Sequence, residues 1–370
     1  MKFLSRLKEY VPLKAMIIFV ITALSGIILL IEQNSVVFAD FINKVSAPFR
    51  ALISFFTSWI PFSLAEILLI AIPVWFVALI AIGVRKAKAG LKSTVKYISF
   101  ILCIPCFIFF TFVWTYSSGY YNTSLDKRLG FDEVSIQKEE LYETSLWLTD
   151  NLNELANNVS FGENNSSYTS DSFDTLSKKV YRSYSTVNEK YGIVNNFPSR
   201  IKPIMLSEPM TYTFISGVYS FMTGEANLNV NYPDFISVSS LAHEFAHQRG
   251  IAREEEANFM AFLVCTSSDD TYIRYSGYLD VFLNVTGALY GESTELYYDV
   301  ISRLDERVLK DIVNYNEFCD NYRDTVASDI ADSVNDKFLQ ANGQEQGIKS
   351  YGMVTELCVG YYYTEIKGLK

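Results

Sequence analysis

The chain has 370 residues, 49% of them hydrophobic and 15% aromatic, a composition that excludes a disordered tail. Its net charge of -10 is uneven: residues 1–116 carry 11 Lys+Arg against 4 Asp+Glu, whereas residues 117–370 carry 20 against 37. A basic, apolar front joined to an acidic back suggests a membrane anchor followed by a solvated domain, and the acidic back argues against nucleic acid as a partner.

The front holds three uncharged runs, at 15–31, 67–84 and 97–116. Each is long enough to cross roughly 30 Å of hydrocarbon as a helix. Pro73 and Pro105 would kink helices in water, but neighbouring helices can accommodate them in a bilayer. Lys2, Arg6, Lys8 and Lys14 precede the first run, and Arg85, Lys86, Lys88, Lys92 and Lys96 separate the second from the third. These clusters belong on the cytoplasmic side, so three spans put the rest of the chain outside the cytoplasm, in a multi-pass protein of the cell membrane. A cleaved signal peptide is the alternative for the first run, with small residues for cleavage around Val37-Phe38-Ala39, and it leaves the later domain on the same side. Between the first two runs, residues 47–60 read as an amphipathic helix lying in the interface, with Trp59 at the headgroup level. The five cysteines say little: Cys103 and Cys106 fall in the third run as small apolar filling, and Cys265, Cys319 and Cys358 are an odd number that cannot all pair within one chain.

Beyond residue 117, Leu141, Leu148, Leu152 and Leu155 form one helical stripe in 136–157. A polar linker at 162–172 leads to a second helix through Leu176, Val180 and Val187, with Gly192 as its stop. Segments 201–207 and 217–224 favour strand. In 224–232 (GEANLNVNY), Glu225, Asn227, Asn229 and Asn231 alternate with Ala226, Leu228, Val230 and Tyr232. That period reads equally as an edge strand bordering a cleft or as an ordinary half-exposed strand. Pro233 ends it.

The next helix carries both histidines of the chain, in LAHEFAHQRGIAREEEANF (241–259). Val238, Leu241, Ala242 and Phe245 form its core-facing stripe. His243 and His247, four residues apart, project from the opposite face where both imidazoles can reach one metal ion, and Glu244 is placed to act on a water there. This is H-E-x-x-H, the geometry of a zinc site. Catalytic zinc normally takes three protein ligands. Arg253 stands where the metzincin pattern needs its last histidine, and a permanent cation cannot bind the ion. The remaining donors are Glu254, Glu255 and Glu256. On one straight helix Glu254 would lie about 16 Å along the axis from His243, so the helix must break, and Gly250 is the place for the turn. Two of the three acids are expected to be a solvated helix N-terminus.

The pairing of H-E-x-x-H with a following E-x-x-A-N helix resembles the gluzincin metallopeptidases. That resemblance, matched through Ala257 and Asn258, implies Glu254 as third ligand, with Glu255 a live alternative given the short gap from His247. It also implies that Asn258, where the family usually has aspartate, supports a ligand imidazole. More of the chain, including GEAN, HEFAHQRG, EEEANF, YSGYL at 275–279 and KSYG at 349–352, resembles domain-of-unknown-function family 3810, a group of bacterial membrane proteins. The expected fold class is α+β: a three-helix transmembrane anchor over 1–116, then a mostly helical, zincin-like domain with a small sheet over 117–370. The expected function is a membrane-anchored, Zn2+-dependent peptidase acting on peptide or protein substrates outside the cytoplasm, with Glu244 as base. A catalytically silent receptor or assembly factor on the same fold is the alternative. Tyr351 and Tyr212 are candidates for stabilising the oxyanion.

Overall fold

The computed structural model describes residues 9–131, 136–323 and 325–368, apart from the side chain of Tyr351. It is mostly helical, with a small sheet. Helix α1 (Leu13–Asn34) and helix α2 (Val36–Ser58) meet at Ser35, whose side chain accepts a bond from Phe38 N and caps α2. After α3 (Leu64–Ile70) and α4 (Ile72–Lys88), α5 (Leu91–Phe112) continues through a π turn (Val113–Ser117) to Tyr121. Pro105 is accommodated without a break. Two helices, Leu13–Asn34 and Leu91–Tyr121, are long and apolar enough to cross a membrane. They pack on each other through Trp114, whose Nε1 donates to Ser25 Oγ at 3.1 Å, and Ser117, whose hydroxyl donates to Glu32 at 2.6 Å.

The run at 67–84 is not one straight span. It is split between α3 and α4, which bend by 52° at Ala71. Pro73 lacks an N–H and its ring crowds the carbonyl four residues back, which ends α3. The short helix is also held elsewhere: Leu64 N and Ala65 N donate to the Glu225 carboxylate at 3.1 and 2.9 Å, and Glu66 accepts from Met205 N and Leu206 N at 2.9 Å. These bonds fix α3 to the sheet, so the bent pair counts as a third span only if both pieces are taken together.

Helix α2 is longer than the expected amphipathic segment. Ala39, Ile42, Ser46, Ala47, Arg50 and Ser54 are buried on one face. Phe41, Phe49, Leu52, Phe56 and Trp59 are exposed on the other, a face suited to an interface.

In the remainder, α6 (Lys138–Ala156), α7 (Phe173–Tyr191), α8 (Asp234–Gln248), α9 (Glu254–Thr266) and α10 (Thr271–Glu292) enclose one apolar core. Leu148 and Leu152 of α6, Val180 of α7, Leu241 and Phe245 of α8, Phe259 of α9 and Phe282 of α10 are all fully buried there. The stripes read from period 3.6 are the ones that pack. The larger of two sheets has three strands, β1 (Ile201–Pro203), β2 (Gly217–Ser220) and β3 (Glu225–Leu228), in the order β1-β3-β2; the other is a two-stranded antiparallel pair at Ser160–Phe161 and Ser167–Tyr168. β3 runs parallel to β1, with Ile201 opposite Ala226, and antiparallel to β2, with Gly217 opposite Leu228.

Both readings of 224–232, as an edge strand and as a half-exposed one, therefore fail. β3 is the central strand, only four residues long and buried throughout. Its amides do not line a face open to a ligand, because backbone carbonyls claim them: Asn227 Nδ2 donates to Val218 O at 3.0 Å, and Asn229 Nδ2 to Ile215 O at 3.1 Å. β2 is one of the two edge strands, and its residues border the cleft described below. The last long helix, α11 (Val326–Ala341), lies against the end of α5, with Phe338 6.3 Å from Phe112 by ring centroids.

Candidate metal centre

Helix α8 ends in a Schellman turn. Gly250 N donates to His247 O at 2.9 Å and Ile251 N to Ala246 O at 3.1 Å, while Gly250 takes φ +92°, a conformation that favours glycine. Helix α9 then begins at Glu254, so the two-helix reversal expected at Gly250 is present. Neighbouring elements hold the turn. Asn43 Nδ2 donates to Gly250 O at 3.0 Å, and Arg50 Nη2 donates to Arg249 O at 3.2 Å. Arg50 also bonds Ser46 Oγ and Thr115 O, linking α2, the π turn after α5 and the Gly250 turn through one buried side chain. Arg253 donates to Tyr120 O and Asn122 O at 3.2 and 2.6 Å and so caps the end of the α5 helix.

This reversal brings three candidate ligands together, two imidazoles and a carboxylate. Glu254 Oε2 stands 3.3 Å from His243 Nε2 and 3.4 Å from His247 Nε2, and one donor atom from each of the three residues lies within 4.8 Å of the others. Ligands of a tetrahedral zinc at bonds of about 2.0–2.1 Å stand about 3.4 Å apart, so the spacing fits the ion. The chemistry of the donors fits as well. His247 Nδ1 lies 2.8 Å from Ile251 O, which can only accept, so Nδ1 carries the proton and Nε2 turns its lone pair toward the carboxylate. Two lone-pair bearing atoms at that distance repel unless a proton or a metal cation lies between them. Glu254 Oε2 is buried and, among the described residues, faces no donor other than the two imidazoles, an arrangement that is costly without a positive partner. Tyr116, on the last turns of the α5 helix, places its hydroxyl 3.1 Å from the same Nδ1.

Burial alone would lower the His247 pKa, but the facing Glu254 carries it up to about 9. Burial alone would raise Glu254, and the two imidazoles outweigh it, holding the carboxylate well below its usual range. Glu244 is buried beside them. Loss of water pushes its carboxyl up to about 7, against the lowering pull of His243 and His247. Its Oε2 also has no partner among the described residues. Gly217 of β2 packs directly on it: a Cβ there would lie 2.6 Å from Glu244 Oε1.

The three acids of 254–256 separate clearly. Glu254 faces the imidazoles. Glu255 is half-buried and accepts from Gln344, and Glu256 accepts from Leu125 N at 2.8 Å and Arg253 at 2.6 Å. The expectation that two of them form a solvated helix N-terminus is thus corrected: Glu255 and Glu256 each have a specific donor that draws them inward. Asn258, one turn after Glu254, lies on the same cleft wall as the histidines. Tyr212 does not reach the cleft. Its ring packs on Tyr322, with centroids 5.0 Å apart, and Tyr351's side chain lies outside the described residues. The tyrosines that line the cleft are instead Tyr116, Tyr120, Tyr219, Tyr232 and Tyr315.

The cleft itself encloses about 700 Å³ between the free edge of β2, the histidine face of α8, the start of α9 and the inner side of α11. Reading along the chain missed Tyr116, Arg50 and Gly217, whose contacts with the site span large sequence separations. Their only local signal was a tyrosine closing an apolar run and an arginine inside an apolar helix.

A family model described as "Protein of unknown function (DUF3810)" matches residues 41–359. No curated protein and no solved structure matches the chain.

Proposed function

The chain belongs to the DUF3810 family, and from the site just described we propose that it is a membrane-anchored, zinc-dependent peptidase whose cleft works outside the cytoplasm. The observation that carries this reading is the convergence of His243, His247 and Glu254 on one point, with the buried Glu244 carboxylate beside it. The first three residues would hold the ion. Zinc, when bound, supplies a Lewis acid that polarises a carbonyl and lowers the pKa of water. Glu244 takes the proton of the attacking water on its free oxygen and later delivers it to the leaving amine. Gly217, by having no side chain, lets β2 close over Glu244 and exclude bulk water from it. The unpaired edge of β2 gives an extended peptide a strand to lie along by main-chain bonds. Ile251 O and the Tyr116 hydroxyl orient the His247 ring, and Asn258 supports the same cluster.

Membrane attachment rests on α1 and the Leu91–Tyr121 helix. The basic residues at 85–96, at the start of the Leu91–Tyr121 helix, favour a cytoplasmic position for that end, which supports a cleft on the opposite side. The test is metal analysis and peptide cleavage by the full-length protein and its Glu244→Gln form. The variant is expected to keep about one zinc per chain and to cleave nothing. Cleavage by the variant would remove Glu244 from its role. A zinc-loaded wild type that cleaves no peptide would favour the silent receptor.

A further inference from the structure

We infer that the cleft selects peptides with a lysine or arginine side chain beside the scissile bond, received by Asp280; this rests on the peptidase reading above. The histidine face of α8 continues past His243 to Ser239, one turn earlier and about 6 Å along the axis, and then to Ile236, and all three residues line the cleft. Asp280, from the adjoining α10, lines the same stretch and accepts a hydrogen bond from Ser239 Oγ. Its carboxylate therefore sits within a long side chain's reach of the metal cluster.

Burial pushes its carboxyl up, against the bond from Ser239 and the pull of His243, which is itself paired with Glu254 at 3.3 Å, and no Lys or Arg pairs with Asp280 among the described residues. The cleft lining holds Glu244, Glu254, Asp280 and Asp332 and no Lys or Arg. A second feature of the same wall points to a ligand: Tyr232 is only 6% exposed, yet its hydroxyl has no hydrogen-bond partner among the described residues. Tyr232, Ile236 and Tyr315 supply flat apolar sides on which a long aliphatic stem can pack, and Asp280 supplies the anion for its charged head. A neutral residue would fill the same space and leave the carboxylate with Ser239 alone.

The test uses the full-length protein and a set of fluorescein-labelled peptides in which one lysine is moved through each position, each paired with its norleucine counterpart. Binding is read by anisotropy on the Glu244→Gln form, and turnover on the wild type. At one position lysine should bind about tenfold or more tighter than norleucine, and Asp280→Asn should bring that ratio near one with zinc content unchanged, as expected for one charge-assisted bond. Asp280→Glu should restore part of the preference. Equal binding of lysine and norleucine peptides at every position would overturn the inference without need of any variant. So would an Asp280→Asn protein that keeps the preference, or one that loses zinc while keeping it, which would make Asp280 a support for His243. Selective lysine binding without cleavage of any peptide by the zinc-loaded wild type would instead sink the peptidase reading and leave the cation pocket standing.

Discussion

Replacing Gly250 by alanine probes how the metal turn is held. The residue sits at φ +92°, where an L side chain costs about 1–2 kcal/mol. A Cβ there would also stand 2.4 Å from Arg50 Nη2 and 2.5 Å from Asn43 Oδ1. Neither neighbour is free to retreat, because Arg50 is fully buried and anchored to Ser46, Thr115 and Asn43. Breaking even one of these charge-assisted bonds adds about 1.5–3 kcal/mol. The total of about 3–5 kcal/mol is a large share of the stability of an ordinary domain. Thermal unfolding of the purified full-length protein should show Tm falling by on the order of 10 °C. The same turn carries Ile251 O, which orients His247, and it sets where Glu254 begins α9. Zinc affinity, measured by competition with a chelator, should therefore drop about tenfold or more. A Gly250→Ala protein with wild-type Tm and wild-type zinc affinity would refute this account of the turn.

Glu254→Gln should lose zinc, whereas Glu255→Gln, whose carboxylate bonds Gln344 and not the imidazoles, should retain it; metal analysis of the two proteins side by side distinguishes the ligand. Gly217→Ala pushes a methyl into the Glu244 side chain, so turnover should fall by about tenfold or more while zinc stays bound, and unchanged cleavage rates would mean that β2 yields without moving the base. Acid stability should depend on Asp270, which caps α10 through Ile273 N and pairs with Lys179 at 2.6 Å. Burial opposes its ionisation but the lysine and capping bonds win, so its folded pKa is lowered from 3.8. Its contribution is then complete above that value and is lost as pH falls through the lower folded pKa. The Tm gap between wild type and Asp270→Asn should be steady near neutrality and close in strong acid. A gap that widened on acidification would reverse the sign.

Local pattern was enough wherever the decisive contacts are local. The H-E-x-x-H spacing, the stripe of Leu241 and Phe245, and a glycine placed where a straight helix would be too long together anticipated the α8–Gly250–α9 reversal. The outer apolar runs likewise became α1 and α5. Prediction failed where a distant partner decides. Residues 67–84 look like a span by hydropathy, but Glu225, far along the chain, anchors the preceding helix to the sheet. The alternation in 224–232 is genuine, yet period two cannot say whether a strand is central or at an edge, and the order β1-β3-β2 is a tertiary outcome. Tyr212 was one choice among 25 tyrosines, and only folding shows that Tyr116 and Tyr232 border the cleft instead.

The bonds from Tyr116 to the His247 ring and from Arg50 to the carbonyl before Gly250 mean that helices of the apolar front double as scaffolding for the imidazoles. Excising residues 117–370 as a water-soluble fragment would discard both braces along with Asn43, so a silent fragment would report on amputation and not on the parent's chemistry. Biochemistry on this protein belongs in detergent or lipid, with the chain intact.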